Sequence, residues 1–546
     1  MGVMNWTRGL VGKAIGYREV DTGALPSITR QTAQFMRGGS SSLLARWLPS
    51  LRNTQDDVGA AWGLATARAV DGIQNSGWVT GGIRSSIGGI MGAGLRLVAA
   101  PDTTLVKFEG LKAENGDDID ADGWSRYVQR RWQTYSTNPL ECDALARQTV
   151  DQLAESAMKM WFATGEILAT LPFRRDLSMT GTKVLLTQPW KLSTQTDPTK
   201  NIIQGVQNDE HGRPYAYIFR VKNRMGFEED VSILARDGAR RPQVIHLFEG
   251  LPGQVRGLTP LAPGLMVLRQ YDQLANATLT AALIQSLFAA TIESDLPTAD
   301  LLNSLGTIGE QGVGGSVDDF LKARMGWLSQ NHIDLSEQSK IAHLFPGEKL
   351  KFNRSEHPNS NYEPFVNVLL RELAKCIGCS VEAMTGNWSG VTYTGVKMGG
   401  TDNWQTTLTR RQNLTARFYQ AIYEAWLEEE IEEGRILFPG GFYNFLQVRP
   451  AAVRALWNGP AKPQADDLKA ARAHEAYRAM GVMSDSDIAD DLGTRIEDVY
   501  EQRAREAKLR EKYELKDTGP STPLAVAEIQ ARAAEEAAAE REAEDA

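Results

Sequence analysis

The sequence is poor in cysteine, with three in 546 residues, and this scarcity excludes a disulfide framework in a chain of this length. It also lacks long apolar runs. The longest uncharged stretch, residues 273–292, contains Asn276, Gln285 and Ser286 and is too polar for a lipid-facing span. No apolar segment with a small-residue cleavage site follows Met1, so no secretory signal is expected. These absences predict a soluble protein of a reducing compartment.

The sequence also has fewer basic than acidic residues. The chain has 59 Lys and Arg against 68 Asp and Glu, a formal net charge of −9. A protein this acidic is not a general binder of phosphate backbones, although a local basic patch is compatible with it. The hydrophobic fraction of 42% and the charged fraction of 23% are ordinary for a globular protein with a sizeable core. A mainly disordered or fibrous protein is thereby excluded.

Signatures of nucleotide and catalytic sites are missing too. The glycine-rich link 250–257 lies between a predicted strand and a helix, where phosphate loops occur, but Leu258-Thr259 follows it in place of Lys-Ser/Thr. The six histidines are scattered, and neither HExxH nor GxSxG is present. We therefore expect no catalytic residues, no cofactor and no enzymatic activity.

Two short motifs resemble parts of metal sites but lack the remaining ligands. Cys376 and Cys379 form a CxxC without a second ligand pair, so we interpret them as small apolar residues at a helix end. Asp118, Asp120 and Asp122 resemble the first half of a calcium loop, but Gln129 occupies the position of the bidentate glutamate. This stretch is predicted to be a solvated acidic loop.

The pattern of apolar residues predicts an α+β protein that is mainly helical. Asn138 as cap, Pro139 at the first helical position and apolar residues at helical spacing predict a long helix over 139–170. Short strand-like runs broken by turn residues predict a small β-rich module over 183–250. A second long helix, rich in small residues, is predicted from Thr259-Pro260 onward.

From residue 386 onward the chain is predicted to begin with a glycine-rich loop and to continue mainly as helix. Residues 386–400 contain five glycines and are predicted to form a loop, followed by helix over 401–435. Two or three helices are predicted over 465–516. The Ala/Glu-rich tail from Leu524, with seven acids against two arginines, is predicted to be a solvated helix or disordered.

Aromatic and basic residues occur together near the glycine-rich segment. Trp388, Tyr393 and Trp404 lie close in sequence to three basic residues, Lys397, Arg410 and Arg411. Such a set could stack on nucleic acid. The favoured interpretation is that the aromatic residues fill a core or a subunit contact.

Several stretches, in the right order, resemble one known family. The clearest is VIHLFEGLPGQVRGLTPLAPGLMVLRQYDQLANATLTAALIQSLFAATIES at 244–294, with the turn residues Pro252, Gly253, Gln254, Arg256 and Gly257. Further stretches are Arg68–Asn75, Trp132–Glu166, Leu344–Glu348, Phe365–Gly378 and Trp457–Gly481. Together they resemble the portal proteins of tailed bacteriophages, lambda type, over about residues 55–510. One departure is Tyr393-Thr-Gly-Val-Lys397, where the family usually has arginine at the last position. Lysine lacks the planar five-donor fork of arginine.

The resemblance implies a portal-type fold, with long stem helices flanking a small β-rich clip, and a division of the chain into named parts. These would be an N-terminal arm 1–55, wing 56–138, first stem helix 139–170, clip 171–257, second stem helix 258–294, wing and lumen-loop region 295–440, crown 441–516 and acidic tail 517–546. The lumen loop would be 386–400, with Trp388, Tyr393 and Lys397, or else 303–316. Arg269 and Asp272 would lie on the stem beside the channel.

The resemblance also implies partners and a location. The chain would form a homo-oligomeric ring, a dodecamer in particles, at one vertex of the capsid, and double-stranded DNA would pass through it. It would contact the terminase large subunit, head–tail adaptor or connector proteins, and the major capsid or scaffold protein, but no membrane. It would be found in the virion, and in the host bacterial cytoplasm during assembly. The alternatives are a terminase-like DNA-processing enzyme and a phage ring or adaptor protein that conducts no DNA.

Overall fold

The computed structural model describes most of the chain between residues 53 and 513. The described residues are 53–109, 111–112, 118–175, 178–223, 225–287, 290–294, 322, 326, 348–352, 362–462 and 467–513. The chain divides into two compact units, Met1–Asp57 and Val58–Ala546. Only residues 53–57 of the first unit are described, and the fold is that of the second. Within the described residues no helix is both long and apolar enough to cross a membrane.

Helices make up most of the described structure. In chain order they are α1 (Thr54–Asn75), α2 (Gly77–Met91), α3 (Ala121–Thr137), α4 (Pro139–Cys142), α5 (Val150–Thr164), α6 (Leu265–Leu287), α7 (Tyr362–Ile377), α8 (Val381–Thr385), α9 (Tyr393–Arg410), α10 (Ala416–Glu432), α11 (Gly441–Ala452), α12 (Asp467–Ala479), α13 (Asp485–Asp491) and α14 (Ile496–Lys512). A π-helical turn, Arg411–Thr415, joins α9 to α10.

In the described residues the strands form four small antiparallel sheets. They are β1 (Arg96–Ala99), β2 (Glu166–Thr170), β3 (Leu185–Leu186), β4 (Ile202–Ile203), β5 (Val206–Asn208), β6 (Pro214–Lys222), β7 (Glu228–Leu234), β8 (Val244–Phe248), β9 (Ala290–Ser294), β10 (Glu348–Phe352) and β11 (Ala455–Asn458). Their orders are β1-β11, β9-β10, β3-β2-β8 and the meander β4-β5-β6-β7. The mainly helical fold with small sheets agrees with the predicted class.

The main core surrounds α10, whose aromatic residues recur at helical spacing. The Trp132 ring lies 5.7 Å from Tyr423, 5.3 Å from Trp426 and 5.6 Å from Trp457 between centroids. Edge-to-face pairs of this kind add to the free energy gained from burial alone. A separate small core under the meander consists of Leu168, Leu192, Val206, Tyr217, Phe219 and Val244.

The predicted long helix over 139–170 is wrong as a single element, because the chain contains two internal stop signals. Asn138 caps α4 and Pro139 opens it, as predicted, but α4 ends at Cys142. The Asp143 carboxylate then accepts hydrogen bonds from the backbone N–H groups of Leu145 and of residues 147–148, which fixes a turn. Backbone N–H groups that bond to a side chain in this way need no helical hydrogen-bond partner.

A new helix, α5, begins after that turn. Thr149 and Gln152 form a reciprocal capping box at its start. Gly165, with a φ of 85°, ends it in the left-handed conformation that glycine adopts without strain. The following residues 166–170 pair with β8 as a strand, Glu166 opposite Phe248.

The predicted second helix is confirmed over 265–287, whereas both ends of the predicted stem 258–294 differ. Its start is a turn with a short 3₁₀ segment, Ala262–Gly264, and its end is the strand Ala290–Ser294, which pairs with Glu348–Phe352. The three helices α12, α13 and α14 confirm the helices predicted for 465–516.

The predicted glycine-rich loop 386–400 is wrong in its second half. Thr392 accepts a hydrogen bond from the N–H of Gly395 and begins α9, which includes Gly395, Gly399 and Gly400. Each glycine costs a helix about 1 kcal/mol relative to alanine, but a good cap and a long continuation outweigh that cost. The other predicted loop, 303–316, lies outside the described residues.

Candidate functional site

The link between β8 and α6 contains a type II turn formed by the predicted motif residues. Pro252 lies at its second position and Gly253, with a φ of 87°, at its third. The Gln254 N–H donates to the Leu251 carbonyl at 3.2 Å, and the Gln254 side-chain oxygen accepts from the Leu251 N–H at 2.8 Å. These three residues therefore determine the local shape of the chain.

Arg256, two residues further on, is buried, with 1% of its surface exposed. Its Nε donates to the Glu166 carboxylate at 2.7 Å, and its terminal nitrogens donate to the carbonyl oxygens of Pro189 at 3.1 Å and Gln204 at 3.3 Å. Its guanidinium lies 4.5 Å from the ring centroid of Trp62. One side chain thus connects β2, two segments of the β-rich region and α1. This set of contacts needs the planar, five-donor geometry of arginine.

Glu166 is the acidic counterpart and is completely buried. Its Oε1 also accepts the N–H of Gly257 at 2.7 Å, while its Oε2 lies 3.7 Å from Nε2 of His246 on β8. Burial by itself raises the pKa of the Glu166 carboxyl, but Arg256 and His246 outweigh burial and the resulting pKa is lowered. The buried cluster is therefore a charged clamp at neutral pH.

Close backbone contacts complete the clamp. A Cβ on Gly257 would lie 2.2 Å from the Gly165 carbonyl oxygen, so only glycine fits there. Thr259 donates its hydroxyl to the Phe162 carbonyl at 2.6 Å and accepts the Leu261 N–H at 3.1 Å. The end of α5 and the approach to α6 are thus joined directly. Because the polar groups of the turn bond to one another inside the protein, the turn positions helices.

The predicted stem residues lie on α6, away from the core. Arg269 is exposed and Asp272 is half-buried, and they are three positions apart. None of the described side chains between Arg269 and Leu283 is buried, and Leu279 and Leu283 are 61% and 56% exposed. Tyr271 and Leu274 pack against the main core, so the two exposed leucines further along the helix are the candidate surface for contact between subunits.

In the 388–411 region the guanidinium of Arg411 lies 5.2 Å from the ring centroid of Trp404. Trp388 is 50% exposed before α9. Tyr393 and Lys397 lie on the first turns of α9, and their side chains are outside the described residues.

Arg410 and Arg411, in contrast, are buried. Arg410 donates to the carbonyl of Ile377 and lies over the ring of Trp161, while Arg411 donates to the carbonyls of Ile90 at 2.7 Å and Gly89 at 3.0 Å. These two arginines are therefore unavailable to nucleic acid.

Comparison with known proteins shows the family of this chain. The family model described as "Phage portal protein, lambda family" matches residues 40–411. This chain belongs to the lambda family of phage portal proteins.

Two curated relatives are similar over nearly their whole length. The portal protein of Escherichia phage N15 is 23% identical over 487 residues, covering 87% of this chain and 89% of the relative. Portal protein B of Escherichia phage lambda is 23% identical over 503 residues, covering 89% and 92%. The resemblance that the sequence motifs indicated is thereby confirmed.

Solved structures give weaker similarity. A chain from the neck of an empty GTA particle, computed with C6 symmetry, has a TM-score of 0.37 at 14% identity, covering 76% of this chain and 99% of that one. A chain from the virion of the native gene transfer agent particle has the same TM-score at 15% identity, with the same coverage.

Membership of this family also bears on the alternative that the chain is an enzyme. The family is structural rather than enzymatic, so the prediction that this portal protein is not an enzyme is confirmed. The clamp at Glu166 and Arg256 has the same structural character, since both groups are buried and bonded to each other.

Sequence reasoning missed a second buried charge cluster in the portal protein, at the end of α10. Glu428, Glu429 and Glu430 are all buried, although the sequence LEEEIEEG is typical of a solvated helix face. Glu428 pairs with Arg449 of α11, and Glu430 accepts from Nε of Arg131 and of Arg435, at 2.7 Å each. The sequence signal that could have revealed this cluster is the run of five acids at the C-terminus of α10. The helix dipole disfavours acids there unless cations are close.

Glu429 is the centre of that cluster. It accepts the N–H groups of Gly181 at 2.6 Å and Thr182 at 2.8 Å, and the Thr182 hydroxyl at 2.7 Å. Burial raises the pKa of the Glu429 carboxyl, but these hydrogen bonds and Arg435 outweigh it, so the pKa is lowered. The cluster therefore attaches the hairpin before β3 to the helical body.

The two incomplete metal motifs have structural roles. Asp120 caps α3 by accepting the Gly123 N–H at 2.8 Å. Cys379 is buried, which raises the pKa of its thiol to about 11. In the part of the chain that the structure describes, no group of three or more metal-ligating side chains occurs.

Proposed function

We propose that this portal protein forms a closed ring, a dodecamer in assembled particles, at the unique capsid vertex through which viral DNA is packaged and ejected. In this assignment α5 and α6 belong to the stem, residues 171–257 to the clip, and α12, α13 and α14 to the crown. The ring would dock the terminase large subunit first and the head–tail connector later. It would form in the host cytoplasm, alongside the capsid or scaffold protein, and remain in the virion.

The single observation that carries the ring is the exposure of Leu279 and Leu283 on α6. From Arg269 to Leu283 its described side chains are at most half-buried, although most of them are small or apolar. The exposed face of α6 includes the polar residues Gln270, Gln273 and Asn276, but its C-terminal end presents two exposed leucines where a surface helix normally has polar residues. Close packing of neighbouring stems would cover it, since small residues let helices approach each other. A cyclic ring needs such a surface on every copy, meeting a different surface of the next.

Charge supports passage of DNA without tight binding. Arg269 and Asp272 lie three positions apart on α6, and Arg410 and Arg411 are bonded internally. A channel lined by mixed charge offers few counterion-releasing phosphate contacts, so duplex DNA would find no deep energy minimum along it. A motor could then move DNA through without detaching it from the wall.

The clip assignment rests on the meander. The outer strand β7 has six exposed residues out of seven, and Met225 and Phe227, in the turn before it, are 84% and 69% exposed. An exposed sheet edge with apolar residues at its end is typical of a protein-contact surface. Terminase and connector proteins are the partners that we propose for it.

Native mass spectrometry and negative-stain electron microscopy of the purified chain test the proposal. We expect closed rings with a central channel. The double variant Leu279→Glu with Leu283→Glu should shift the protein to monomers, because it places charge in the proposed stem contact. Leu105→Glu, at a side chain that is 64% exposed outside the stem, is the matched control and should leave rings intact.

Monomers alone at micromolar concentration in the wild type would refute the ring. Rings without a through-channel would favour the alternative of an adaptor that conducts no DNA.

A further inference from the structure

The C-terminal module, residues 467–513, has almost no core of its own. Of all its hydrophobic side chains only Ala489 is buried, while Met480, Val482, Leu492, Leu509 and Tyr513 are between 52% and 77% exposed. Three helices that bury one alanine gain little free energy from packing. The exposed apolar side chains are therefore available for contact with another molecule.

Charge is segregated along the same module. From residue 485 to 501 there are seven acids and one arginine, whereas from 502 to 513 there are five basic residues and two glutamates. The acids Asp487, Asp490 and Asp491 are exposed on and beside α13, next to Leu492. We call this surface the acidic patch. Burial raises the pKa of the Asp490 carboxyl, and the neighbouring carboxylates of Asp487 and Glu497 raise it further, which is the sign of like charges held together.

The basic residues share one face of α14. Arg505, Lys508, Leu509 and Lys512 are spaced three or four positions apart, so they lie on one side of the helix, and all four are exposed. We call this surface the basic face. Leu509 lies among cations and Leu492 lies beside acids, so each surface combines an apolar side chain with charged ones.

Within one chain Arg505 pairs with Glu501, one turn earlier on α14, at 3.4 Å, and Asp490 accepts from Asn458 at 2.7 Å, so the two surfaces do not pair with each other. The helix α14 is continuous from Ile496 to Lys512, and its start follows α13 closely. At about 1.5 Å of rise per residue, Lys508 lies roughly 18 Å beyond Ile496. The stiff helix therefore holds the basic face away from the acidic patch of its own chain.

We propose that the basic face of α14 docks on the acidic patch at α13 of a second copy of this chain. The contact is heterologous, with two different surfaces meeting head to tail, which is the kind of contact that closes a cyclic ring. Complementary charge sets the register, and Leu509 and Leu492 supply the apolar area. A nucleic acid would pair with the basic face alone, whereas a second copy pairs with both surfaces. This inference rests on the ring proposed above and assigns one of its contacts.

Charge exchange between copies tests the contact. Variant A carries Arg505→Glu with Lys508→Glu, and variant B carries Asp490→Lys with Asp491→Lys, each in the full chain. Each variant alone should lose rings, or have rings that dissociate at several-fold lower salt than wild type, since like charges then face each other. An equimolar mixture of A and B should recover wild-type salt resistance, because Glu of A meets Lys of B and the unchanged surfaces also pair.

The control is Arg503→Glu, a charge reversal on another side of α14, which should change nothing. Unaltered rings in both A and B would overturn the inference while leaving the ring itself intact, whereas monomeric wild type would refute the ring.

Cross-linking gives a second measurement that does not depend on ring stability. Lys508→Cys with Asp490→Cys, treated with a short bis-maleimide, should give a ladder of covalent oligomers, and each single variant only the background of the wild type. Rings without a ladder would overturn the contact. Strong duplex-DNA binding that variant A abolishes would also overturn it and assign the basic face to nucleic acid.

Discussion

Replacing Arg256 by methionine should loosen the joint between β2, β8 and the start of α6. The substitution keeps a long apolar side chain but removes the cation beside Glu166 and the hydrogen bonds to the carbonyls of Pro189 and Gln204. Removing one partner of a buried ion pair costs about 3–5 kcal/mol, because the other charge remains buried without compensation. We expect a loss of this size in local stability.

Hydrogen exchange of the amides in β2 and β8 measures that loss better than a single melting point, since a chain of this size need not unfold in one step. A loss of about 3–5 kcal/mol corresponds to exchange roughly a hundred- to several-thousand-fold faster, at tenfold per 1.4 kcal/mol. Arg213→Met, an exposed arginine just before β6, is the matched control and should change exchange little. The double variant Arg256→Met with Glu166→Gln should be less destabilised than Arg256→Met alone.

The pH dependence has a definite sign. The pKa of Glu166 is lowered in the folded protein, so its stabilisation is complete above the unfolded pKa of about 4.3 and is lost as pH falls through the folded value. In Arg256→Met the main cation is absent and burial raises that pKa, so the variant should recover stability as pH falls. The difference between wild type and variant should therefore shrink toward pH 4. Unchanged exchange in Arg256→Met, or a difference that grows with acid, would refute the ion-pair clamp.

Three further predictions concern other parts of the chain. Gly257→Ala should destabilise the same joint, because its Cβ would lie 2.2 Å from the Gly165 carbonyl oxygen; a thermal midpoint equal to that of wild type would contradict this. Cys376→Ser with Cys379→Ser should leave rings intact, and stoichiometric zinc in the wild type by elemental analysis would contradict the structural role of these thiols. Truncation after Thr518 should still give soluble rings, with loss of all oligomer as the contrary result.

A fourth concerns DNA. Binding to free duplex at physiological salt should be no tighter than roughly 10⁻⁴ to 10⁻⁶ M, the usual range of non-specific binding. Fluorescence anisotropy of a labelled duplex across a salt series measures this affinity. A nanomolar value would mean that the portal protein binds DNA tightly and does not merely conduct it.

Local patterns were sufficient for much of this protein. The cap at Asn138 and Pro139, the helix over 265–287 and the turn at Pro252 and Gly253 follow from interactions between residues close in sequence. The ordered series of motifs was enough to indicate the family. Such features are predictable because backbone geometry and side-chain capping act over only a few residues.

Tertiary structure decided the rest. Nothing local shows that Glu166 and Arg256, 90 residues apart, share a buried clamp, or that the acids of α10 are enclosed by arginines from α3 and α11. The strand at 166–170 also depends on distant partners, since β2 pairs with β3 and β8. Burial and long-range pairing determine whether a charge is solvated or enclosed, and both depend on how the whole chain packs.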